Sequence, residues 1–249
     1  MSKKHPVVEM RKVSRSFGFV KALDQVDLTM YDSEVLGLVG DNGAGKTTLT
    51  KILAGVYPPD KGEIFWCGKK TNFCNPREAR QLGIEVVYQD LALARNVDAV
   101  ANVFIGREFV KRSFWSSVFK LIDKEREKIE TEKILTQLGI ELPSVRTPTK
   151  YLSGGEQQMV AIARAVYSKP RVLIMDEPTT AIAVKERERL LSLIPKFKER
   201  GISTIFISHT LQEVFRVADR IVVLSKGHKV GEGNLEEMNI EKVMDLMMK

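Results

Sequence analysis

The chain has 249 residues, of which 43% are hydrophobic, 7% aromatic and 29% charged, and these ordinary proportions exclude the disordered and fibrous classes. The net charge is +7, but basic and acidic residues are interleaved, and we find no basic stripe with aromatics of the kind a nucleic-acid groove needs. No apolar run approaches the roughly 20 residues that cross a bilayer, and the first residues contain none long enough for a signal peptide, so we expect neither feature. The two cysteines, Cys67 and Cys74, are too few for a disulfide framework, so we expect a protein of the reducing cytosol.

The first part of the chain predicts three strands. VVEMRKV and LDQVDLTM, at 7–13 and 23–30, are expected to be antiparallel strands on the outside of a sheet. EVLGLVG, at 34–40, is a short buried run that leads into GDNGAGKTTLTKILAGV, where glycines predict a turn and the residues after them a helix. The local order is therefore strand, loop and helix.

The middle of the chain predicts two further strands and a helical segment. GEIFWCG and IEVVYQ are the strands, at 62–68 and 84–89. From about Leu91 to Leu138 the sequence is mainly helical and charged, and the loop ELPSVRTPTKYL, at 141–152, closes it. We expect a helical lobe at about 91–167.

The last third predicts parallel strands with crossover helices. RVLIMDE and STIFISH are short apolar runs separated and followed by helical segments. Pro195 should bend the crossover helix or divide it. RIVVLSKGHKVGEG predicts a hairpin that turns at Lys226-Gly227-His228, and NIEKVMDLMMK predicts an amphipathic tail helix. The whole chain, 1–249, is then one α/β domain: a mostly parallel core sheet from 1–90 and 168–249, an antiparallel β flank and the helical lobe.

A complete phosphate-binding loop follows the third strand. GDNGAGKT matches the pattern GxxxxGK[ST] between a buried strand and a helix. Glycines are needed because only a backbone without side chains can wrap its N–H groups round phosphates, and the helix start adds its dipole. Lys46 supplies a charge to the phosphates and Thr47 a hydroxyl to Mg²⁺. The predicted nucleotide-binding residues are Gly40, Asp41, Asn42, Gly43, Ala44, Gly45, Lys46, Thr47 and Thr48.

Two adjacent carboxylates end a later strand. RVLIMDEP places Asp176 at the C-terminal end of an apolar strand, where a parallel sheet presents its ligands, and a carboxylate there is able to hold Mg²⁺. Glu177 is the natural general base for an attacking water. Asp-Glu pairs are common on surfaces, but the apolar run before this pair and Pro178 after it make the pattern specific.

Two further polar residues follow predicted strands. His209 ends STIFISH, and a lone histidine is more often structural than catalytic. Beside a phosphate-binding loop, however, it is able to hydrogen-bond a γ-phosphate oxygen or orient the attacking water. Gln89, after IEVVYQ, is able to reach Mg²⁺ and water, although taken alone it is weak evidence.

A second glycine-rich turn, YLSGGEQQ at 151–158, completes a set of motifs. The chain resembles the ATP-binding subunits of ATP-binding-cassette (ABC) transporters over essentially its whole length, with phosphate-binding loop, Gln89, LSGGEQQ, Asp176-Glu177 and His209 in the family's order. The resemblance implies an ATPase whose subunits pair head to tail, so that Ser153, Gly154 and Gly155 cap the γ-phosphate of ATP held by the other copy. ATP and Mg²⁺ are the implied cofactors.

The same resemblance implies the kind of transport and the partners. VYQDLALARNVDAVANVFIGRE, at 87–108, looks most like monosaccharide importers of the ribose and fructose type, and would form the groove for a helix of the permease. Phe17 sits where the family stacks an aromatic on adenine, although an aromatic packed under the sheet is the alternative. The implied partners are permease subunits and, indirectly, a sugar-binding protein, at the cytoplasmic face of the inner membrane, with no nucleic acid.

Two departures and three alternatives remain open at this point. Many sugar-importer ATPases of this group carry two cassettes, whereas this chain has one with every motif, which favours a homodimer. The family's SALD after the Asp-Glu pair is replaced by Thr180-Ala181-Ile182-Ala183, which lacks the aspartate. The alternatives are a soluble cassette ATPase acting on DNA or ribosomes, a transporter of another substrate, and a regulatory cassette that does not turn over ATP. The last is disfavoured because Lys46, Asp176, Glu177 and His209 are all present.

Overall fold

A computed structural model describes residues 6–73, 75–111, 121–180 and 182–248 of the chain. Cys74, Ala181 and part of the predicted helical lobe lie outside these residues, while Cys67 is a free and exposed thiol. Within the described residues, no helix has both the length and the apolar composition needed to cross a membrane.

Strands and helices follow each other along the chain. The strands are β1 (Pro6–Phe17), β2 (Val20–Tyr31), β3 (Val35–Val39), β4 (Lys61–Trp66), β5 (Lys69–Thr71), β6 (Ile84–Val87), β7 (Val172–Asp176), β8 (Ser203–Ile207), β9 (Arg220–Ser225) and β10 (His228–Asn234). The helices of the described residues are α1 (Lys46–Leu53), α2 (Pro76–Gln81), α3 (Ala99–Phe104), α4 (Lys124–Leu138), a 3-10 turn (Thr149–Tyr151), α5 (Gly154–Tyr167), α6 (Val184–Glu199), α7 (Leu211–Val217) and α8 (Ile240–Met247).

A six-stranded sheet has the order β10-β9-β3-β8-β7-β6. Its neighbours pair in parallel, except that β10 runs antiparallel to β9 at the edge. Every residue of β3, β7 and β8 is buried, which explains why these strands read as continuous apolar runs without alternation. The prediction of a mostly parallel α/β core sheet is therefore confirmed.

A second sheet is antiparallel and has the order β2-β1-β4-β5. The predicted antiparallel pairing of the first two strands is correct, with Glu9 opposite Thr29. These strands, however, form a sheet of their own with β4 and β5. The pairing places Glu9 of β1 opposite Phe65 of β4, a contact between distant parts of the sequence that local pattern does not reveal.

The chain divides into two compact units. The first comprises Met1–Gln89, Lys169–Thr180 and Leu191–Lys249, and holds both sheets. Its apolar core includes Leu36, Leu49 and Ile174. The second comprises Asp90–Ser168 and Ala181–Leu190, and contains α3, α4 and α5.

Pro195 lies inside α6, which continues from Val184 to Glu199, so of the two predicted alternatives, a bend or a division, the division is wrong. Proline removes one backbone donor and crowds the preceding turn. The helix nevertheless continues because Ile194 and Phe197 on either side of the proline are fully buried, and tertiary packing holds the turn together.

The predicted hairpin and tail helix are both present. Lys226 and Gly227 connect β9 to β10, and both have positive φ, 48° and 82°, as a tight hairpin turn of this twist requires. The Gly227 N–H donates to the Ala44 carbonyl at 3.1 Å, which fixes the hairpin beside the loop after β3. The tail helix α8 buries Val243.

Candidate functional site

The loop between β3 and α1 can be built only with glycine at two positions. Gly40 has φ 152°, and a Cβ there would lie 2.2 Å from the carbonyl oxygen of Leu224. Gly45 has φ 102°, and a Cβ would lie 2.7 Å from the carbonyl oxygen of Ala22. The surrounding backbone cannot give way, so the loop stays close to its neighbours only without side chains.

Gly45 is also the N-cap of α1, and it has no side chain to accept a hydrogen bond from the first turn. The first backbone N–H groups of a helix have no partner within the helix, and the helix dipole makes that end positive. This end of α1 is therefore free to bind an anion.

Lys46 is 5% exposed and folds back onto the loop. Its Nζ donates to the carbonyl oxygens of Gly40 and Asp41 at 2.7 and 2.9 Å. Burial lowers the pKa of Lys46, while Glu177 and Asp176 oppose that shift. The ammonium group is thus held in the loop by neutral acceptors, which an anionic ligand can replace.

Asp176, the last residue of β7, lies beside the start of α1. Burial raises the pKa of Asp176, and the neighbouring Glu177 raises it further, whereas Lys46 and a hydrogen bond from the Thr47 hydroxyl lower it. The carboxylate and the hydroxyl are hard oxygen ligands placed side by side. Mg²⁺ in nucleotide sites is commonly held by one or two such protein ligands with the substrate phosphates, so this pair fits the ion.

Glu177 and His209 meet at the ends of neighbouring strands. His209 Nε2 lies 2.5 Å from Glu177 Oε1. The two strands are in register up to Asp176 opposite Ile207, so the next residues of each are brought together. Glu177 has φ 51°, a left-handed conformation uncommon for a residue with a side chain, and its N–H donates to the Ile207 carbonyl at 3.1 Å.

Gln89 and Phe17 lie in the same unit as these residues. Gln89 is exposed and follows β6, whose carboxyl end shares an edge with those of the other parallel strands. Phe17 ends β1, is 41% exposed, and packs edge to face on Tyr57 with ring centroids 5.3 Å apart. The guanidinium of Arg15 lies 5.1 Å from the Phe17 ring centroid. Phe17 is thus an accessible aromatic rather than a core residue.

The second glycine-rich turn belongs to the helical unit and begins α5. Ser153 is its N-cap, and a capping box joins it to Glu156: Ser153 Oγ accepts from the Glu156 N–H at 3.2 Å, and Glu156 Oε2 accepts from the Ser153 N–H at 2.7 Å. Ser153 and Gly154 are exposed. Gly155 is buried, and a Cβ there would lie 2.3 Å from Glu186 Cγ, so this glycine is required for packing.

The first unit therefore brings together the phosphate-binding loop, Asp176, Glu177 and His209. Ser153, Gly154 and Gly155 belong to the other unit. Sequence reasoning missed Tyr57 beside Phe17, and Thr179 and Glu213, which lie close to Glu177 and His209. None of these belongs to a motif, and only the tertiary structure reveals them.

The comparisons with known proteins agree with this arrangement. The family model for ABC transporters matches residues 23–180. The chain is 42% identical over 243 residues to the ribose import ATP-binding protein of Caldanaerobacter subterraneus, covering 98% of this chain but 48% of that relative. It thus spans about half the length of that relative.

Other relatives are matched over nearly their whole length. The xylose/arabinose import ATP-binding protein of Sulfolobus acidocaldarius is 41% identical over 241 residues, with 97% of this chain and 93% of that protein covered. The fructose import ATP-binding protein of Rhizobium meliloti is 40% identical over 226 residues, with 90% and 87% covered.

Solved structures have the same fold. A nucleotide-free ATP-binding cassette from an ABC transporter superposes with a TM-score of 0.82 at 26% identity, covering 98% of this chain and 96% of that one. A dimeric cassette in a post-hydrolysis state, bound to ADP and phosphate, gives a TM-score of 0.77 at 26% identity, with 92% and 98% covered. The phosphate-binding loop, the polar residues at the ends of the parallel strands and these similarities together place the chain in the ABC transporter family.

Proposed function

We propose that this chain hydrolyses ATP to drive the uptake of a monosaccharide through a membrane transporter. The observation that carries the proposal is the arrangement at one sheet edge, where Lys46, Asp176, Glu177 and His209 meet beside an uncapped helix start. This set provides a positive charge, oxygen ligands, a base and a polar partner for that base. These are the groups that phosphoryl transfer to water needs.

Nucleotide binding would use the loop from Gly40 to Thr48. Its backbone N–H groups and the start of α1 surround the phosphates, and Lys46 exchanges its loop carbonyl contacts for phosphate oxygens. Phe17 offers an exposed ring on which adenine stacks. Of the two readings of Phe17, its exposure favours this one.

Thr47 and Asp176 would hold Mg²⁺, with Gln89 at the same sheet edge as a further oxygen ligand. When bound, the ion neutralises part of the charge on the phosphates. A hydrogen bond from the Thr47 hydroxyl lowers the pKa of Asp176, as expected for two ligands that lie side by side.

Glu177 acts as the general base. It takes a proton from water as the water oxygen bonds to the γ-phosphorus, and the bond from that phosphorus to the β–γ bridging oxygen breaks to give ADP and phosphate. His209, whose Nε2 contacts Glu177 Oε1, would keep this carboxylate oriented while it takes the proton. Each role needs a different residue, and all lie in one unit.

A second copy of the chain would complete each site. Ser153 Oγ already accepts a hydrogen bond from its own helix, so its hydroxyl hydrogen remains available to a γ-phosphate. Gly154 lies exposed beside it, and Gly155 keeps the helix start closely packed. Head-to-tail pairing would place this turn over ATP held by the other copy. ATP then favours the closed dimer because it binds that state better.

The substrate class and the partners come from the relatives, whose names assign them to ribose, xylose, arabinose or fructose import. We infer that this chain works at the cytoplasmic face of the membrane with permease subunits and, through them, a sugar-binding protein. The docking segment at 87–108 has a fixed shape around Asn102, which is fully buried and bonds the carbonyl oxygens of Ala94 and Asp98 at 3.0 Å each. Arg164 further holds the carbonyls of Leu91 and Ala92 at 2.8 Å each.

The test is to tag the chain in its own host, solubilise the membranes gently and identify the proteins that copurify. A multispanning permease, together with ATPase activity that rises on adding one sugar-loaded binding protein, is the expected result and identifies the sugar. A control with Lys46→Met should copurify with the same permease but lack ATPase activity. Recovery with ribosomes or DNA and not with membranes would overturn the transport function while leaving the ATP chemistry intact.

A further inference from the structure

A buried carboxylate joins the two loops that carry Glu177 and His209. Glu213 Oε2 accepts hydrogen bonds from Thr179 Oγ1 at 2.7 Å and from Ser208 Oγ at 2.8 Å. Glu213, Thr179 and Ser208 are each at most 5% exposed. Since buried hydrogen bonds to a charged acceptor are short and strong, this oxygen is a firm link between the two hydroxyls.

The two hydroxyls flank the predicted catalytic residues. Thr179 comes two residues after Glu177, and Ser208 directly precedes His209. Ser208 Oγ also accepts from the Thr210 N–H at 3.0 Å, which connects the residues on both sides of His209 to the same link. Glu213 itself lies in the first turn of α7, so the helix anchors both loops.

We propose that Glu213 is a positioning residue, which holds the Glu177 carboxylate and the His209 imidazole at reacting distance by bridging Thr179 and Ser208. The proposal rests on the proposed function and adds a residue outside the motifs to it. The role is argued from the two hydrogen bonds that Glu213 Oε2 accepts, one from each loop.

The backbone explains why such a bridge is needed. Glu177 has a left-handed φ of 51°, which is strained for a residue with a side chain and persists only where neighbouring structure enforces it. β7 and β8 are paired as far as Asp176 and Ile207, and the Glu177 N–H adds one more bond to the Ile207 carbonyl, after which the ladder ends. The bridge through Glu213 supplies the connection immediately after the ladder ends.

The direct test measures whether a substitution in one loop changes the amide hydrogen exchange of the other loop. Ser208→Ala and Thr179→Val each remove one hydroxyl and keep a small side chain. Native-state hydrogen exchange, followed by NMR, should show faster exchange of the Thr180 N–H in Ser208→Ala and of the Thr210 N–H in Thr179→Val. Exchange that changes only in the substituted loop would overturn the bridge. This measurement needs no ATP, so it tests whether Glu213 connects the two loops even if the wild type proves not to be an ATPase.

Kinetics test the consequence for the reaction. Either single variant breaks the bridge, so each should lower kcat by up to about a hundredfold with little change in KM for ATP, and the double variant should be no worse. Effects that multiply in the double variant, or an unchanged kcat, would contradict positioning. Thr71→Val, in β5 of the antiparallel sheet, is the matched control, because it removes a threonine hydroxyl outside both loops and should change neither readout.

Glu213 itself is tested by a conservative pair. Glu213→Gln keeps an oxygen that accepts from both hydroxyls and should retain most of kcat and the wild-type exchange rates, whereas Glu213→Ala should lose both. Equal loss in the two variants would show that the charge, and not the bridge, matters. If Glu213→Ala fails to fold, the hydroxyl variants still decide the proposal.

Discussion

His209 Nε2 lies 2.5 Å from Glu177 Oε1, so the two residues form a close pair. The other oxygen of Glu177, Oε2, has Thr180 Oγ1 at 3.5 Å, the upper limit of a hydrogen bond. Each carboxylate oxygen is able to accept a further hydrogen bond from water, and the bond to Thr180 is the weaker of the two contacts. We therefore expect water to approach Glu177 from the Thr180 side while His209 stays in place.

Replacing the proposed general base should separate ATP binding from hydrolysis. Glu177→Gln keeps the shape of the side chain but cannot accept the proton from water, so steady-state ATPase activity should fall by about a hundredfold or more. ATP binding should persist, and size-exclusion chromatography with ATP should show a stable dimer. Glu199→Gln, at an exposed position of α6, is the control and should behave as wild type. Normal turnover by Glu177→Gln would eliminate Glu177 as the base.

Asp176→Asn should stabilise the nucleotide-free protein. Burial raises the pKa of Asp176, and Glu177 raises it further, so its ionised form weakens the fold at neutral pH. The asparagine keeps an oxygen for the Thr47 hydroxyl and removes the charge. Thermal unfolding should show a higher Tm for Asp176→Asn at pH 7 to 8, because there the native carboxylate is ionised.

The pH dependence provides the check on this prediction. As the pH falls through the raised pKa of Asp176, the wild-type carboxyl becomes neutral and no longer destabilises the fold. The difference in Tm between the wild type and Asp176→Asn should therefore shrink. A difference that is constant with pH would contradict the assignment. Mg²⁺-dependent ATPase activity should be lost in the variant at every pH.

Breaking the buried ion pair of Arg220 should lower the free energy of unfolding far more than breaking an exposed ion pair. Arg220 binds both oxygens of Glu34, at 2.8 and 3.0 Å, and the two residues are 7% and 2% exposed. Arg220→Met leaves the Glu34 carboxylate buried without this partner, which should lower the free energy of unfolding by roughly 3–5 kcal/mol. Arg146→Met removes an exposed pair with Glu125 and should change it by at most about 1 kcal/mol.

Chemical denaturation of both variants measures this difference. A double variant, Arg220→Met with Glu34→Met, should recover part of the loss, because it removes the uncompensated charge. If Arg220→Met and Arg146→Met lowered the free energy of unfolding equally, burial would not determine how much the Arg220–Glu34 pair stabilises the fold.

Phe17 should contribute to ATP affinity through its ring. Phe17→Ala should raise the KM for ATP by about tenfold, whereas Phe17→Tyr should leave it nearly unchanged, since stacking on a base needs only an aromatic face. Phe19, two residues further and fully exposed, provides the matched control as Phe19→Ala. Equal KM values for the two alanine variants would assign Phe17 to packing on Tyr57 alone.

The parts of the fold that depend on local rules could be predicted from sequence. The phosphate-binding loop needs glycine at positions where backbone crowding leaves no space for a side chain. The hairpin turn needs positive φ at Lys226 and Gly227, and glycine is the residue that adopts this conformation most easily. Both patterns lie within a few consecutive residues. The polar residues after β7 and β8 were found because parallel strands end at a common edge.

What the sequence could not reveal depends on contacts between distant residues. Glu34 and Arg220 are separated by 186 positions, and Thr179 and Glu213 by 34. Gly155 reads as part of an anion-binding turn, yet its closest neighbour is Glu186 on α6. The sequence also could not exclude that Pro195 divides α6, because the buried packing of Ile194 and Phe197 that preserves the helix depends on tertiary contacts.

The left-handed backbone of Glu177 has a consequence for laboratory evolution of this protein. At φ 51°, glycine or asparagine would be accommodated with less strain than glutamate. A library selected only for thermal stability should therefore accumulate glycine or asparagine at position 177. Those variants should have a higher Tm and no ATPase activity. Screens for a more thermostable variant need an assay of ATPase activity in every round to retain this glutamate.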